Sequence, residues 1–344
     1  MITNNTINDI LVYKKPFPYY IVAPSYSQQS AGIKVLHYLC HHLNILGYPA
    51  FLVPEKNSFR SNPNLITPIM DSHMFQIHRQ HNLTPIVIYS DVINHNKLNA
   101  TCFVNYLLHY PGFLSQDKSF EFSDLIFTYS QRRSNYVANA NLKSKILFMP
   151  MVDTSIFYPP SNKNKRSGMI YYASKYKNNF KEKTFEITDN ATEITRGLPD
   201  SPTTIEVANL LRNAEVFAAY EDTSLITEAI LCGCPVFLIK NKYFDGNLIA
   251  SYELGQKACF TEYSDENLEI AKSQINQAQQ DFYSSIEVFK SHLKVFIEDT
   301  QNYASKINFP TEMNQKSFYK KFNFKKVIKY KISNKINNFI KKYF

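Results

Sequence analysis

Short apolar runs recur along this chain with helix-length segments between them, and that recurrence limits the fold more than any other feature. The first series is YYIVAP (19–24), AFLV (50–53), PIVIYS (85–90), DLIFTYS (124–130) and KILFMP (145–150). Runs of this kind read as strands buried on both faces, and such strands belong to a mostly parallel sheet covered by helices. Between the first two, Leu36, Leu39, Leu43 and Leu46 recur at spacings of three and four, and Gly47 stands where a helix end favours a left-handed residue. A second series follows the linker-like MVDTSIFYPP and SNKNKRSG: MIYYAS (169–174), TFEIT (184–188), EVFAAY (215–220) and PVFLI (235–239). Helices are expected at TTIEVANLLRNA (203–214) and SLITEAILCG (224–233), and residues 264–304 read as one or two long polar-faced helices. The expectation is an α/β chain of two tandem domains, 1–155 and 156–310, with a tail at 311–344.

Composition narrows the class further. A chain of 344 residues, 44% hydrophobic and 19% charged, can build two real cores and is not a disordered protein. No run reaches the roughly eighteen apolar residues that a membrane-spanning helix needs, and MITNNTINDILVYKKPFPYY is a poor signal peptide, so the expected location is the cytoplasm. Cys40, Cys102, Cys232, Cys234 and Cys259 are odd in number and form no CxxC pair, which argues against a disulfide framework or a zinc ribbon. Charge is unevenly placed. Residues 311–344 hold ten Lys and one Glu, a surplus equal to the net +9 of the whole chain, while the remaining 28 basic and 28 acidic residues cancel.

The most informative stretch is YEDTSLITEAILCGCPV (220–236), where two acids and two hydroxyls precede a short apolar helix. In an open α/β sheet, ligands bind beyond the carboxyl ends of the strands, and the next helix offers its N-terminus to phosphate. EVFAAY supplies such a strand end. Glu221, Asp222, Thr223 and Ser224 form the loop, so a diphosphate there would meet backbone N–H groups and two hydroxyls. Glu228 lies four residues beyond Ser224 on the same helix face. A carboxylate at that distance suits a ribose diol, from which it can accept two hydrogen bonds; the alternative is a solvent-facing acid on a capped helix. Glycine is scarce, with eight in the chain, and Gly32, in the loop after the first strand, either allows a ligand close to the backbone or serves a plain turn.

With its tandem α/β domains, its SAGI loop before the first helix and EDTSLITEAILCGCPV, the chain resembles GT-B glycosyltransferases over roughly residues 18–300, especially bacterial ones of surface polysaccharide and lipooligosaccharide assembly. The resemblance implies two Rossmann-like domains around a cleft, the second binding a nucleotide sugar and the first the acceptor, with chemistry that needs no bound metal. No cofactor is implied; the substrate is a nucleoside-diphosphate sugar, UDP slightly favoured, and the acceptor is a glycan or a lipid-linked glycan. By position, Glu228 would bind ribose, Thr223 and Ser224 the diphosphate, Lys175 in YYASKYK the phosphates, and Gly32 the donor from across the cleft. Arg196 in EITR would meet base or phosphate, or make a surface salt bridge. Many retaining members carry two glutamates with seven residues between them; here Glu221 and Glu228 have six, and Tyr220 stands at the expected place. This puts the sugar-contacting role of Glu221, and the stereochemical outcome, in question.

No DxD triplet, GxGxxG or P-loop motif occurs. His37 and His41 have the helical spacing of two metal ligands but lack a third, so no metal site is expected. Asp91, at the end of PIVIYS, either contacts the transferred sugar or acceptor or caps the next turn. The tail places Phe324, Ile328, Ile332 and Ile336 among lysines, the pattern of a cationic amphipathic helix. An anionic membrane surface, hence the inner face of the membrane, ranks above packing on the body, and nucleic acid is not an expected partner. Two other functions fit the same body: a non-catalytic adaptor recruited by the tail, and a nucleotide-sugar epimerase that needs no acceptor.

Overall fold

The computed structural model describes residues 16–54, 59–112, 119–161 and 165–313. The first sheet contains β1 (Tyr19–Ala23), β2 (Ala50–Pro54), β3 (Ile86–Ser90), β4 (Phe103–Leu107), β5 (Leu125–Thr128) and β6 (Lys145–Ile146), in the order β2-β1-β3-β4-β5-β6. All its pairings are parallel, beginning with Tyr19 opposite both Ala50 and Ile86. Every residue of β1 is buried. Tyr19, Ile21 and Ala23 enter one core with Leu36, Leu39 and Leu43 of α1 (Ala31–Ile45), whereas Tyr20 and Val22 enter a second core with Phe51, Val53 and Phe75. The two-sided burial is why these strands read as continuous apolar runs. Leu46 keeps the periodicity of α1 but is its C-cap and is exposed; Gly47 follows at φ 83°.

The second sheet contains β7 (Met169–Tyr172), β8 (Thr192–Glu193), β9 (Val216–Ala219), β10 (Val236–Leu238) and β11 (Cys259–Phe260), ordered β11-β10-β9-β7-β8 and again wholly parallel. Its helices include α4 (Ser174–Asn178), α5 (Thr204–Asn213) and α6 (Leu225–Leu231); the remaining short ones are α2 (Ser72–Gln80) and α3 (Gln131–Asn139) in the first domain and α7 (Ser251–Leu254) in the second. The start of α5 is set by a capping box in which Thr203 and Glu206 bond reciprocally.

Three expectations need correction. TFEIT is not a strand: residues 186–188 form a 3-10 turn, because the Phe185 N–H donates to the buried Tyr220 hydroxyl at 2.7 Å rather than to a neighbouring strand. The strand in that place is β8, a few residues later. No helix separates β3 from β4. In β4, Asn105 interrupts the apolar run, and it is satisfied inside the protein by Ser123, whose N–H donates to its Oδ1 at 2.6 Å and whose Oγ accepts its N–H at 3.2 Å.

The third correction concerns the domain boundary. Residues 265–304 form one helix, α8, of 40 residues. Leu268, Ala271 and Phe282 pack in the second domain, but Phe289, Leu293, Phe296 and Ile297 pack in the first. Tyr19 and Thr300 share a hydrogen bond of 2.7 Å, and the Gln301 amide bonds both backbone groups of Phe17. The expected 156–310 unit therefore ends in a helix whose second half completes the first domain's core. Met313 closes the second core of that domain. The basic amphipathic helix expected within 311–344 lies, from residue 314 on, outside the described residues. Among the described residues no helix is long and apolar enough to cross a membrane.

Candidate functional site between the two sheets

Both sheets reverse their strand order at a corresponding point, between β1 and β3 in the first and between β7 and β9 in the second. Loops leaving neighbouring strands there run to opposite faces and open a crevice beyond the carboxyl ends. Two cavities lie where loops and helices from the two domains meet.

The first, of about 220 Å³, is lined by Gln28, Gln29 and Lys34 from the β1–α1 segment and by Arg196, Thr203 and Glu228 from the second domain, among others. Glu228 is 2% exposed. Its Oε2 accepts from Arg196 Nη2 at 3.1 Å, Arg196 Nη1 reaches Gln29 O at 3.5 Å across the crevice, and the guanidinium stands near the Tyr172 ring. Lys34 enters from the opposite wall, buried, with its Nζ donating to Met151 O at 3.3 Å. Burial lowers its pKa, and the nearby Glu228 carboxylate opposes that shift.

The second cavity, of about 160 Å³, is bordered by His109, Arg132 and Arg133 of the first domain and by Lys175, Glu221 and Asp222 of the second, with Tyr176, Tyr220, Tyr243 and others. Glu221 Oε2 accepts the Tyr176 N–H at 3.0 Å, while its Oε1 is buried without a hydrogen-bond partner. Burial raises the Glu221 pKa, against the pull of Lys175. Asp222 accepts the Ile249 N–H and is likewise raised by burial. His109 is held down to about 3 by burial and by the Arg133 and Lys175 charges. Its Nδ1 accepts the Tyr110 N–H at 2.8 Å, so the neutral ring carries its proton on Nε2 and is a donor there.

The residues singled out in the sequence divide accordingly. Arg196 and Glu228 meet in the larger cavity; Lys175, Tyr220, Glu221 and Asp222 border the smaller. Thr223 and Ser224 lie between these sets at the start of α6, half-buried, and Ser224 makes no side-chain cap bond. The Tyr220 hydroxyl is engaged by Phe185 N–H and by Thr188 Oγ1 at 2.8 Å, so this side chain braces the wall. Gly32 and Asp91 line neither cavity. Gly32 sits in the first turn of α1 without a left-handed backbone, and an added Cβ would meet Leu108 at an ordinary 3.5 Å, so neither the backbone nor a protein neighbour demands glycine there. Asp91 Oδ1 accepts the N–H groups of Leu108 and His109, at 2.9 and 3.0 Å, in the loop after β4 rather than in the turn that follows Asp91 itself. That fixes the loop carrying His109.

Lys34, His109, Arg132 and Arg133 escaped sequence reasoning. The available signal was positional for three of them, since His109, Arg132 and Arg133 lie within about five residues of the carboxyl end of β4 or β5; Lys34, in the first turn of α1, carried none. His37 and His41 have separate partners, Pro24 O and the Ile66 N–H, and no group of three metal-ligating side chains exists among the described residues. The five cysteines are unpaired, four of them buried.

No protein-family model matches the chain, and neither does any protein of curated function. Among solved structures it is similar to a glycosyltransferase from Rickettsia africae ESF-5, with 10% identity and a TM-score of 0.45 over 86% of this chain and 99% of that one. It is also similar to CalG4, the calicheamicin glycosyltransferase (9% identity, TM-score 0.41, 86% and 100% covered). T4 phage BGT, solved with its UDP-glucose substrate, gives 11% identity and a TM-score of 0.38 over 84% of this chain and 96% of that one. Likenesses at this identity and superposition assign the chain neither an activity nor a ligand; the account of the fold stands on the two sheets themselves.

Proposed function

We propose that this chain is a metal-independent glycosyltransferase of GT-B type, moving a sugar from a nucleoside-diphosphate donor, UDP slightly favoured, to a glycan or lipid-linked acceptor in bacterial surface polysaccharide assembly. The observation that carries this reading is Glu228: a buried carboxylate, one turn into the helix that follows β9, bordering a cavity between two domains at their strand ends. A buried acid in such a place is suited to two neutral hydroxyls. With ribose at Glu228 and the base towards Arg196, the diphosphate falls near Thr223, Ser224 and Lys175, and the sugar towards Glu221 and Asp222. Transfer then breaks the bond between the sugar's anomeric carbon and the diphosphate oxygen and forms one to an acceptor oxygen, whose proton passes to the leaving diphosphate or to water. Lys175 supplies positive charge where the leaving diphosphate gains negative charge, a stabilisation that grows as the bond breaks. His109, low in pKa and protonated on Nε2, serves as a donor rather than a base.

The lysine-rich segment 311–344 supports placement on an anionic membrane surface at the cytoplasmic face, where lipid-linked acceptors lie. Calorimetric titration with UDP, ADP, GDP, CDP and dTDP, together with assays of nucleotide-sugar hydrolysis, tests the reading. Binding of at least one diphosphate, with slow hydrolysis of a matching sugar donor, is expected; binding of none would sink it.

A further inference from the structure

Arg133, near the start of α3, is 2% exposed, and its guanidinium carbon lies 3.7 Å from the centre of the Tyr110 ring. Its Nε is buried without a hydrogen-bond partner. Among the described residues its side chain makes neither a hydrogen bond nor an ion pair. Arg132, beside it in sequence, differs: it donates to Asn247 O at 2.6 Å and pairs with Asp245 at 3.3 Å, linking the two domains.

A guanidinium removed from water and left without acceptors is a costly arrangement, since a buried charge is ordinarily paired or hydrogen-bonded. The charges of Asp222 and Asp91 offset part of that cost, but neither they nor Glu221 bonds the guanidinium: Glu221 and Asp222 accept the N–H groups of Tyr176 and Ile249, and Asp91 those of Leu108 and His109. Across the same cavity stands Lys175, also without a side-chain hydrogen bond among the described residues. Besides Arg132, two cations without a side-chain hydrogen bond among the described residues, one from each domain, thus border about 160 Å³ of space, room for several molecules of water at roughly 30 Å³ each.

We propose that Arg133 receives an oxyanion of the donor in the cavity between the domains, with Lys175 facing it from the other wall. Nε and one terminal nitrogen form the two parallel donors that a carboxylate or phosphate accepts side-on, a geometry that lysine cannot reproduce. The oxyanion is either the diphosphate or a carboxylate on the sugar. Only the identity of its bearer rests on the glycosyltransferase reading.

The test uses the full chain, Arg133→Met and Arg133→Lys, titrated calorimetrically with pyrophosphate, UDP, UDP-glucose and UDP-glucuronate, with melting temperatures recorded alongside. If the diphosphate is the ligand, both variants lose tenfold or more in affinity for pyrophosphate and UDP. If a sugar carboxylate is the ligand, the wild-type protein prefers UDP-glucuronate to UDP-glucose and both variants lose that preference, with UDP unchanged. A structural arginine predicts a lower melting temperature in Arg133→Met with every affinity within twofold of wild type, and that result overturns the proposal. Should Arg133→Met fail to fold, Arg133→Lys carries the test, because it keeps the charge and loses only the fork. Arg133-dependent binding of pyrophosphate without binding of any of the five nucleoside diphosphates would sink the nucleotide reading and leave this one standing; UDP binding indifferent to both variants, with no glucuronate preference, would do the reverse. A wild-type chain that binds none of the four probes overturns this proposal, and the glycosyltransferase reading falls with it if ADP, GDP, CDP and dTDP do not bind either.

Discussion

Replacing Glu228 with alanine separates what this carboxylate does for the fold from what it does for a ligand. Its Oε2 accepts from Arg196 Nη2 at 3.1 Å, with side-chain exposures of 3% and 17% for the acid and the base. Breaking a fully buried ion pair costs about 3–5 kcal/mol. Here Arg196 keeps its contact with Gln29 O and borders a cavity that water can enter. The expected loss is therefore that of one charge-assisted hydrogen bond, about 1.5–3 kcal/mol. At roughly 2–4 °C per kcal/mol for a sizeable domain, melting falls by about 3–12 °C and the protein still folds at 25 °C. Binding should suffer separately. Two hydroxyls losing their acceptor forfeit about 1.5–3 kcal/mol, a rise of roughly ten- to 150-fold in the dissociation constant. Calorimetry with UDP and with 2′,3′-dideoxy-UDP distinguishes this from a general loosening: wild type should prefer UDP, and Glu228→Ala should bind both alike. A variant that binds UDP within twofold of wild type, or that retains the preference for the diol, refutes the assignment.

Turnover of the matching nucleotide sugar is expected to persist in excess EDTA, because Lys175 and the donors at the start of α6 take the diphosphate charge; loss in chelator with recovery in manganese or magnesium would count against this chemistry. Asp91→Ala should destabilise by about 2–4 kcal/mol, since it strips the acceptor from the N–H groups of Leu108 and His109, whereas Asp91→Asn keeps an acceptor and should melt close to wild type. Burial raises the Asp91 carboxyl above its ordinary 3.8. The native state then holds the proton longer than the unfolded chain, and stability falls as pH rises from about 3.8 through the native value; Asp91→Asn should flatten that part of the pH–melting curve, and an unchanged curve would count against it. Truncation after Met313, which spares that buried residue, should leave nucleotide binding intact and abolish sedimentation with anionic vesicles at low salt, where each lysine near the surface contributes about 1 kcal/mol. Vesicle binding by the truncated chain would assign the membrane contact to the body.

Legibility in the sequence followed locality. Strands such as β1 and β9 were readable because every residue in them is apolar and both faces are covered. β4 was hidden by Asn105, whose polar side chain is answered by Ser123, eighteen positions away. TFEIT carried the composition of a strand but surrendered its backbone donor to the Tyr220 hydroxyl, a tertiary contact no local pattern encodes. Glu228 could be found because an acid flanked by Ala229, Ile230 and Leu231 sits on a helix whose exposed face is too narrow to hold it. Glu221 was found by its place after a strand, but its hydrogen bond to the Tyr176 N–H depends on α4 lying alongside. Lys34 and Arg133 acquire their roles only when the domains face each other, which a place after a strand, as Arg133 has after β5, does not by itself foretell.

The two cavities share an arrangement that ordinary core packing would remove. Each is bordered by buried ionisable side chains from both domains, and several retain hydrogen-bonding atoms that the described protein leaves unused: Nε of Arg133, Oε1 of Glu221 and, on Lys34, the ammonium donors beyond the one aimed at Met151 O. Apolar replacements of similar size would stabilise the folded chain at such positions. α8 makes the arrangement possible, because its two halves are anchored in different cores and hold the strand ends of both sheets toward one crevice. Local stability is thereby lowered along the crevice, as expected where a charged ligand completes the hydrogen bonding from both sides at once.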